Sequence, residues 1–162
     1  MSHKQLSFSL LKHPVHFLAL GFGSGLAPKA PGTFGTLMAI PLYLLLQELS
    51  FNYYLLAVVV VSLAGVYICD RSAKMMGEHD HPAIVWDEFA GYFVTMIAVP
   101  FDWVWILLGF ALFRLFDILK PQPIRWLDKS VAGGFGIMID DIIAGVMACL
   151  SLHLIIWLTM LV

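Results

Sequence analysis

Residues 84–89 read Ile-Val-Trp-Asp-Glu-Phe, and residues 137–143 read Ile-Met-Ile-Asp-Asp-Ile-Ile. Each stretch places two adjacent carboxylates at the start of a long apolar run. Carboxylates at the edge of a bilayer are costly unless cations compensate them, and they usually mark function. The two stretches therefore indicate membrane helices whose inner ends carry a charged site.

Working outward, the chain contains five apolar stretches, each of about the length that crosses a hydrocarbon core of ~30 Å. They cover residues 34–50, 53–69, 84–100, 103–119 and 139–161. Hydrophobic residues make up 60% of the chain and charged residues 12%, against roughly 25% charged residues in soluble domains. We expect one all-α domain over residues 1–162, a polytopic membrane bundle of about five transmembrane helices. Residues 1–12 would form a short cytoplasmic leader, and 13–26 a short interfacial or re-entrant helix.

The basic residues all fall near the same ends of these stretches: Lys4, Lys12, Lys29, Arg71, Lys74, Arg114, Lys120, Arg125 and Lys129. Because cytoplasmic loops of membrane proteins are enriched in Lys and Arg, this pattern predicts a cytoplasmic N-terminus and cytoplasmic loops at 70–83 and 120–138. The net charge of −2 and the lack of a basic stripe argue against a nucleic-acid partner. Cys69 and Cys149 lie in or at the end of apolar stretches and are interpreted as packing residues.

Carboxylates from three stretches share the cytoplasmic end: Asp87, Glu88, Asp117, Asp140 and Asp141. Helical spacing places Arg114 and Lys120 on the same face as Asp117. Oxygen ligands suit hard cations such as Mg²⁺ or Mn²⁺, and the few usable histidines argue against zinc. Acidic metal ligands beside Arg and Lys are what phosphoryl chemistry requires, because metal and cations together neutralise the phosphate oxygens.

Several motifs together resemble one family, phosphatidylglycerophosphatase A. They are Gly21-Phe22-Gly23-Ser24-Gly25-Leu26, Pro31-Gly32-Thr33-Phe34-Gly35-Thr36, Val85-Trp86-Asp87-Glu88, Phe113-Arg114-Leu115-Phe116-Asp117 with Lys120-Pro121, and Gly136-Ile137-Met138-Ile139-Asp140-Asp141. The resemblance runs from about residue 13 to residue 150 in the same order. It implies a multi-pass, Mg²⁺-dependent lipid phosphatase of the bacterial inner membrane. Such an enzyme would convert phosphatidylglycerophosphate to phosphatidylglycerol and phosphate, with its active site on the cytoplasmic side.

We assign site roles on this basis as predictions. The five carboxylates are the expected catalytic and Mg²⁺-binding residues, and one that is not fully engaged with metal would act as the general base. Arg114, Lys120 and Arg125 are expected to bind the phosphate, and Thr33 and Ser24 to line the head-group pocket. The number of metal ions, the choice between water and an aspartate as nucleophile, activity on other lipid phosphates and formation of a homo-oligomer stay open.

Two alternative functions remain at this stage. A CDP-alcohol phosphotransferase also uses clustered Asp residues and Mg²⁺, but its Asp-x₂-Asp-Gly-x₂-Ala-Arg pattern is absent from the chain. An ion- or proton-conducting bundle would use its carboxylates for transport. Against the second alternative, the carboxylates gather at one end of the apolar stretches, and stretches one and two carry none inside the apolar run.

Overall fold

A computed structural model describes residues 8–78 and 81–161, and the part of the chain that it describes is helical throughout its regular elements. The helices are α1 (Pro14–Ala19), α2 (Pro31–Leu46), α3 (Phe51–Met76), α4 (Trp86–Thr95), α5 (Trp103–Leu119), α6 (Ile124–Ser130) and α7 (Gly133–Thr159). Two short 3₁₀ helices, Phe8–Lys12 and Gly21–Leu26, flank α1. Residues 1–7 of the predicted leader, and His79 and Asp80 of the predicted loop, lie outside the described residues.

Local sequence explains where several helices begin and end. Proline occupies the first position of α2, where its missing N–H costs nothing. The carboxylate of Asp102 caps α5 by accepting a hydrogen bond of 2.7 Å from the backbone N–H of Val104. Helix α3 ends at Gly77, which adopts the left-handed conformation that glycine tolerates (φ +76°).

Two helices, α3 and α7, are long and apolar enough to cross a membrane. Only 22% of the apolar window of α3 and 28% of that of α7 is buried, so both present apolar surface outward as a membrane helix does. Helix α2 is apolar but shorter, with 16 residues, and α5 has 17. The all-helical fold is confirmed, and the prediction of five spanning helices is not.

The third predicted span shows where hydropathy was misleading. Residues 84–100 contain α4, a helix of ten residues that rises only about 15 Å. Every residue of α4 from Asp87 to Thr95 is buried, because α2, α3, α5 and α7 pack around it. Its apolar side chains therefore contact protein, and α4 has no need to match the thickness of a bilayer.

Small residues allow α4 and α7 to approach at backbone distance. A Cβ on Gly91 would lie 2.7 Å from the carbonyl oxygen of Asp141, and a Cβ on Gly145 would overlap the carbonyl oxygen of Gly91. The Thr95 hydroxyl of α4 donates to the carbonyl of Gly91 in its own helix at 2.9 Å and also lies 3.4 Å from the carbonyl of Gly145 in α7. The close approach of α4 and α7 holds the acidic ends of the two helices next to each other.

The predicted interfacial segment, residues 13–26, forms α1 and the second 3₁₀ helix, with a kink at Phe22 and Gly23. It is tied to the rest of the fold in two places. His16 Nδ1 lies 2.8 Å from the Ser72 hydroxyl in α3, with both side chains buried. The backbone N–H of Val85, just before α4, donates to the carbonyl of Ala19 at 2.8 Å. Residues 13–26 therefore help to position the start of α4.

Candidate active site

A cavity of about 560 Å³ lies where the starts of α2, α4 and α7 meet the end of α5. All five predicted carboxylates line it, as do two of the predicted phosphate-binding cations: Asp87, Glu88, Asp117, Asp140, Asp141, Arg114 and Lys120. The cavity therefore gathers acidic and basic groups from three helices that are distant in sequence.

The site contains a cluster of three closely spaced carboxylates. Asp87, Glu88 and Asp141 each offer one oxygen, and these three atoms lie within 4.8 Å of one another. The side chains are nearly buried, with 9%, 8% and 4% of their residue surface exposed. Because water screens buried charges poorly, the ionised cluster is stable only if positive charge lies close to it.

Within the described part of the chain, three ion pairs, made by two basic side chains, lie at this cluster. Arg114 Nη1 lies 2.5 Å from Asp117 Oδ2 and 3.6 Å from Glu88 Oε1, so one guanidinium holds carboxylates from two helices. Lys120 Nζ lies 2.7 Å from Asp140 Oδ2 and joins the end of α5 to α7. The Arg114 side chain is 13% exposed and the Lys120 side chain 31%, so Lys120 is the more accessible cation.

Charge and hydrogen bonding both indicate a cation site. Five carboxylates and two basic side chains line the cavity, which leaves an excess of three negative charges if all are ionised. Within residues 8–78 and 81–161, Glu88 Oε2 and Asp141 Oδ2 are buried and have no hydrogen-bond partner. Buried carboxylate oxygens normally have partners. No histidine or cysteine is among the described residues of the lining. An all-oxygen site with unsatisfied carboxylates fits a hard divalent cation.

Several lining residues were not assigned to the site from the sequence, and Gly32 is one that shapes the cavity. A Cβ on Gly32 would overlap Glu88 Oε1 and lie 3.0 Å from both terminal nitrogens of Arg114. The first turn of α2 thus closes one wall of the cavity at backbone distance. The only available signal was the position of Gly32 in the Pro31-Gly32-Thr33 motif, which marks a helix start but does not show what that start contacts.

Three predicted substrate-binding residues do not line the cavity. Arg125 is exposed on α6, and its Nη2 lies 3.5 Å from the carbonyl of Leu119. The Ser24 hydroxyl donates to the carbonyl of Gly21 at 2.8 Å. Thr33 lies in the first turn of α2, partly exposed. Their predicted contacts with substrate stay predictions.

Comparison with known proteins adds a second line of evidence. Residues 17–156 match the family Phosphatidylglycerophosphatase A. Phosphatidylglycerophosphatase A of Escherichia coli (strain K12) is 51% identical over 156 residues, which cover 94% of this chain and 91% of that protein. The protein of the same name from Haemophilus influenzae (strain ATCC 51907 / DSM 11121 / KW20 / Rd) is 50% identical over 140 residues, or 85% and 86% of the two chains.

A third relative, from Bacteroides thetaiotaomicron, is provisionally named a phosphatidylinositol-3-phosphatase and is 38% identical over 148 residues, covering 86% of this chain and 92% of that protein. No solved structure matches the chain at a significant level. The match to the family spans most of the chain and includes every residue that gathers at the cavity. The chain belongs to the phosphatidylglycerophosphatase A family, and it is a phosphatase of phospholipid metabolism.

Proposed function

We propose that this chain is a Mg²⁺-dependent phosphatase that hydrolyses phosphatidylglycerophosphate to phosphatidylglycerol and phosphate. The observation that carries the proposal is the buried cluster of Asp87, Glu88 and Asp141. It lies in a cavity that two basic side chains also line. The names of the two relatives that are about half identical to the chain support this substrate.

The cluster of Asp87, Glu88 and Asp141 is the proposed Mg²⁺ site, with Asp117 and Asp140 completing the acidic set around it. Its oxygen donors and its unsatisfied atoms on Glu88 and Asp141 fit a hard cation. When bound there, Mg²⁺ would neutralise phosphate charge and make water a stronger nucleophile.

The side chains around the cluster have distinct proposed roles. Lys120, the more exposed cation, would receive the phosphate and exchange its contact with Asp140 for a contact with a phosphate oxygen. Arg114 would keep Asp117 and Glu88 in place, and its remaining N–H groups would face the bound phosphate. Asp117 lies beside Asp141, and we assign it as the base that removes a proton from the attacking water.

We place the site at the cytoplasmic face of the bacterial inner membrane, in a multi-pass arrangement. The basic residues at the same end as the cavity support this orientation, since positive charge favours the cytoplasmic side. A lipid head group in the inner leaflet would then lie at the depth of the carboxylates. A reporter attached to the N-terminus tests this orientation, which predicts that the N-terminus lies in the cytoplasm.

Phosphate release from phosphatidylglycerophosphate in detergent micelles tests the function. Wild-type protein and Asp141→Asn are assayed with Mg²⁺, with Mn²⁺ and with EDTA, and isothermal titration counts the bound ions. Glu48→Gln is the matched control, because Glu48 is an exposed carboxylate away from the cavity. We expect release that requires the metal, collapses in Asp141→Asn and persists in Glu48→Gln.

The same assay separates the alternatives. Release from phosphatidylinositol 3-phosphate at a higher kcat/KM than from phosphatidylglycerophosphate would move the substrate toward the third relative. Turnover that requires a CDP-linked donor would indicate a phosphotransferase. Ion flux in liposomes without any phosphate release would overturn the phosphatase proposal and favour a conducting bundle.

A further inference from the structure

The cavity extends around one flank of α5, from the protein interior to its outer face. Phe113 is fully buried and marks the inner face of this helix. At about 100° per residue, Asp117, Arg114 and Ile118 lie at roughly 40°, 100° and 140° from Phe113 around the helix. All three line the cavity, and Ile118 is 66% exposed. The cavity therefore opens sideways, past Ile118, onto the outer surface of α5.

That outer surface is a continuous apolar stripe, which we name the α5 stripe. It consists of exposed residues at helical spacing: Val104, Leu107, Ala111, Leu115 and Ile118. At 1.5 Å per residue, the stripe from Ile118 to Val104 is about 21 Å long. One leaflet of a ~30 Å hydrocarbon core is about 15 Å deep. The stripe thus begins at the mouth of the cavity and is long enough to follow an acyl chain through one leaflet.

Charge and apolar surface meet at the mouth in the order that a lipid phosphate requires. Lys120 and Arg114 lie on the cavity side, and Ile118 begins the apolar side. An amphipathic ligand with an anionic head and an acyl tail would satisfy both at once. A soluble phosphomonoester would contact only the basic side chains and leave the apolar side of the mouth unoccupied.

We propose that the α5 stripe holds an acyl chain of the substrate while its phosphate occupies the cavity, so that the lipid reaches the site sideways from the leaflet past Ile118. This inference rests on the proposed lipid-phosphatase function. It identifies α5 as the helix that contacts the tail and Ile118 as the residue that separates tail from head group.

Photo-cross-linking tests the position of the tail. Asp141→Asn protein in nanodiscs, which would bind substrate without turnover, is irradiated with phosphatidylglycerophosphate that carries a diazirine in one acyl chain. We expect labels on Leu115 and Ile118 that an excess of unlabelled phosphatidylglycerophosphate removes. Leu63 on α3, 69% exposed, is the reference for bulk lipid, and its labelling should not respond to competitor. Equal, non-competed labelling of both helices would overturn the inference.

Kinetics provide the second measurement. Ile118→Trp narrows the mouth and should raise KM for the dipalmitoyl substrate about tenfold relative to wild type, with a smaller change for a dihexanoyl analogue that dissolves in water. Leu63→Trp should change neither value. Equal loss on both substrates would contradict a tail contact at Ile118. If wild-type protein releases no phosphate from either lipid, the proposed function fails and the inference fails with it; release without competed labelling on α5 overturns the inference alone.

Discussion

Replacing Asp141 with Asn should make the metal-free protein more stable while it destroys activity. Asp141 shares a buried cluster with Asp87 and Glu88, whose nearest ligand atoms lie within 4.8 Å. At an effective dielectric constant of about 20, two carboxylates at that distance repel each other by on the order of 3 kcal/mol. Asn removes one charge and two such repulsions, and its amide can donate hydrogen bonds to the remaining carboxylates.

The net effect is smaller than the two repulsions together, because Arg114 beside Glu88 and relaxation of the side chains offset part of them. We take about 1–2 kcal/mol, which shifts Tm by roughly 2–8 °C for a chain of this size. Mg²⁺ should reverse the order of stability of the two proteins, because it stabilises the wild type and not Asp141→Asn. At a free concentration of about 100 times Kd it stabilises the wild type by ~2.7 kcal/mol, or roughly 5–10 °C in Tm.

The assay is thermal unfolding in detergent, followed by intrinsic tryptophan fluorescence, in EDTA and in Mg²⁺. We expect Asp141→Asn to unfold above wild type in EDTA and to gain little from Mg²⁺, with Glu48→Gln behaving as wild type. The assignment of this cluster as the metal site would be refuted if Mg²⁺ left the wild-type Tm unchanged, or if it raised the Tm of Asp141→Asn by as much as that of the wild type.

Three further predictions concern other parts of the fold. Gly32→Ala should lower kcat/KM about tenfold or more, because its Cβ would overlap Glu88 Oε1 and displace it, and overpacking typically costs about 1–3 kcal/mol. Lys120→Met should lower kcat/KM about ten- to a hundredfold, since a hydrogen bond to a charged group contributes roughly 1.5–3 kcal/mol, and Lys120→Arg should recover part of it. Burial lowers the pKa of His16 below 6.5, so below pH 6.5 the unfolded chain binds more protons than the folded chain and the wild-type Tm falls. His16→Gln cannot bind this proton, and we expect its Tm to fall less over the same pH range.

Matched substitutions control each of these experiments. Gly77→Asn changes a glycine that has open space around it and a left-handed backbone that Asn accepts, so activity should persist. Lys74→Met removes an exposed lysine that pairs with Asp70 at the same 2.7 Å, and kcat/KM should hold. His13→Gln should keep most of the pH dependence, because burial of His16 is the larger cause of its lowered pKa. Loss of activity in the first two controls equal to that in the test variants would indicate general destabilisation.

The chemistry of the site was largely accessible from the sequence. Adjacent carboxylates at the start of an apolar run, and the spacing of Arg114 and Asp117, predicted groups that share one end of the bundle, and the structure brings all five carboxylates to one cavity. The contact between Arg114 and Glu88 was less accessible. It joins different helices, and helical spacing informs only about neighbours on one helix.

The number of spanning helices and the wall formed by Gly32 could not be derived in the same way. Hydropathy measures how apolar a segment is, and α4 is as apolar as a lipid-facing helix although other helices surround it. Gly32 has no side chain, so its residue type alone does not indicate a role in the site. Its importance comes from how closely α2 approaches Glu88 and Arg114, which is a property of the packed bundle.

The hydrogen bond between Val85 and Ala19 also has a consequence for biosynthesis. Residues 14–26 leave the ribosome before their partners in α3 and just before α4 are made. This segment therefore docks after α3 and the start of α4 have been synthesised. Asp87 and Glu88 follow Val85 almost directly, so the docking that completes the N-terminal region also fixes the acidic end of α4. A chain that lacks residues 14–26 would insert its long helices and still present a misaligned site, although the removed residues need never touch the substrate.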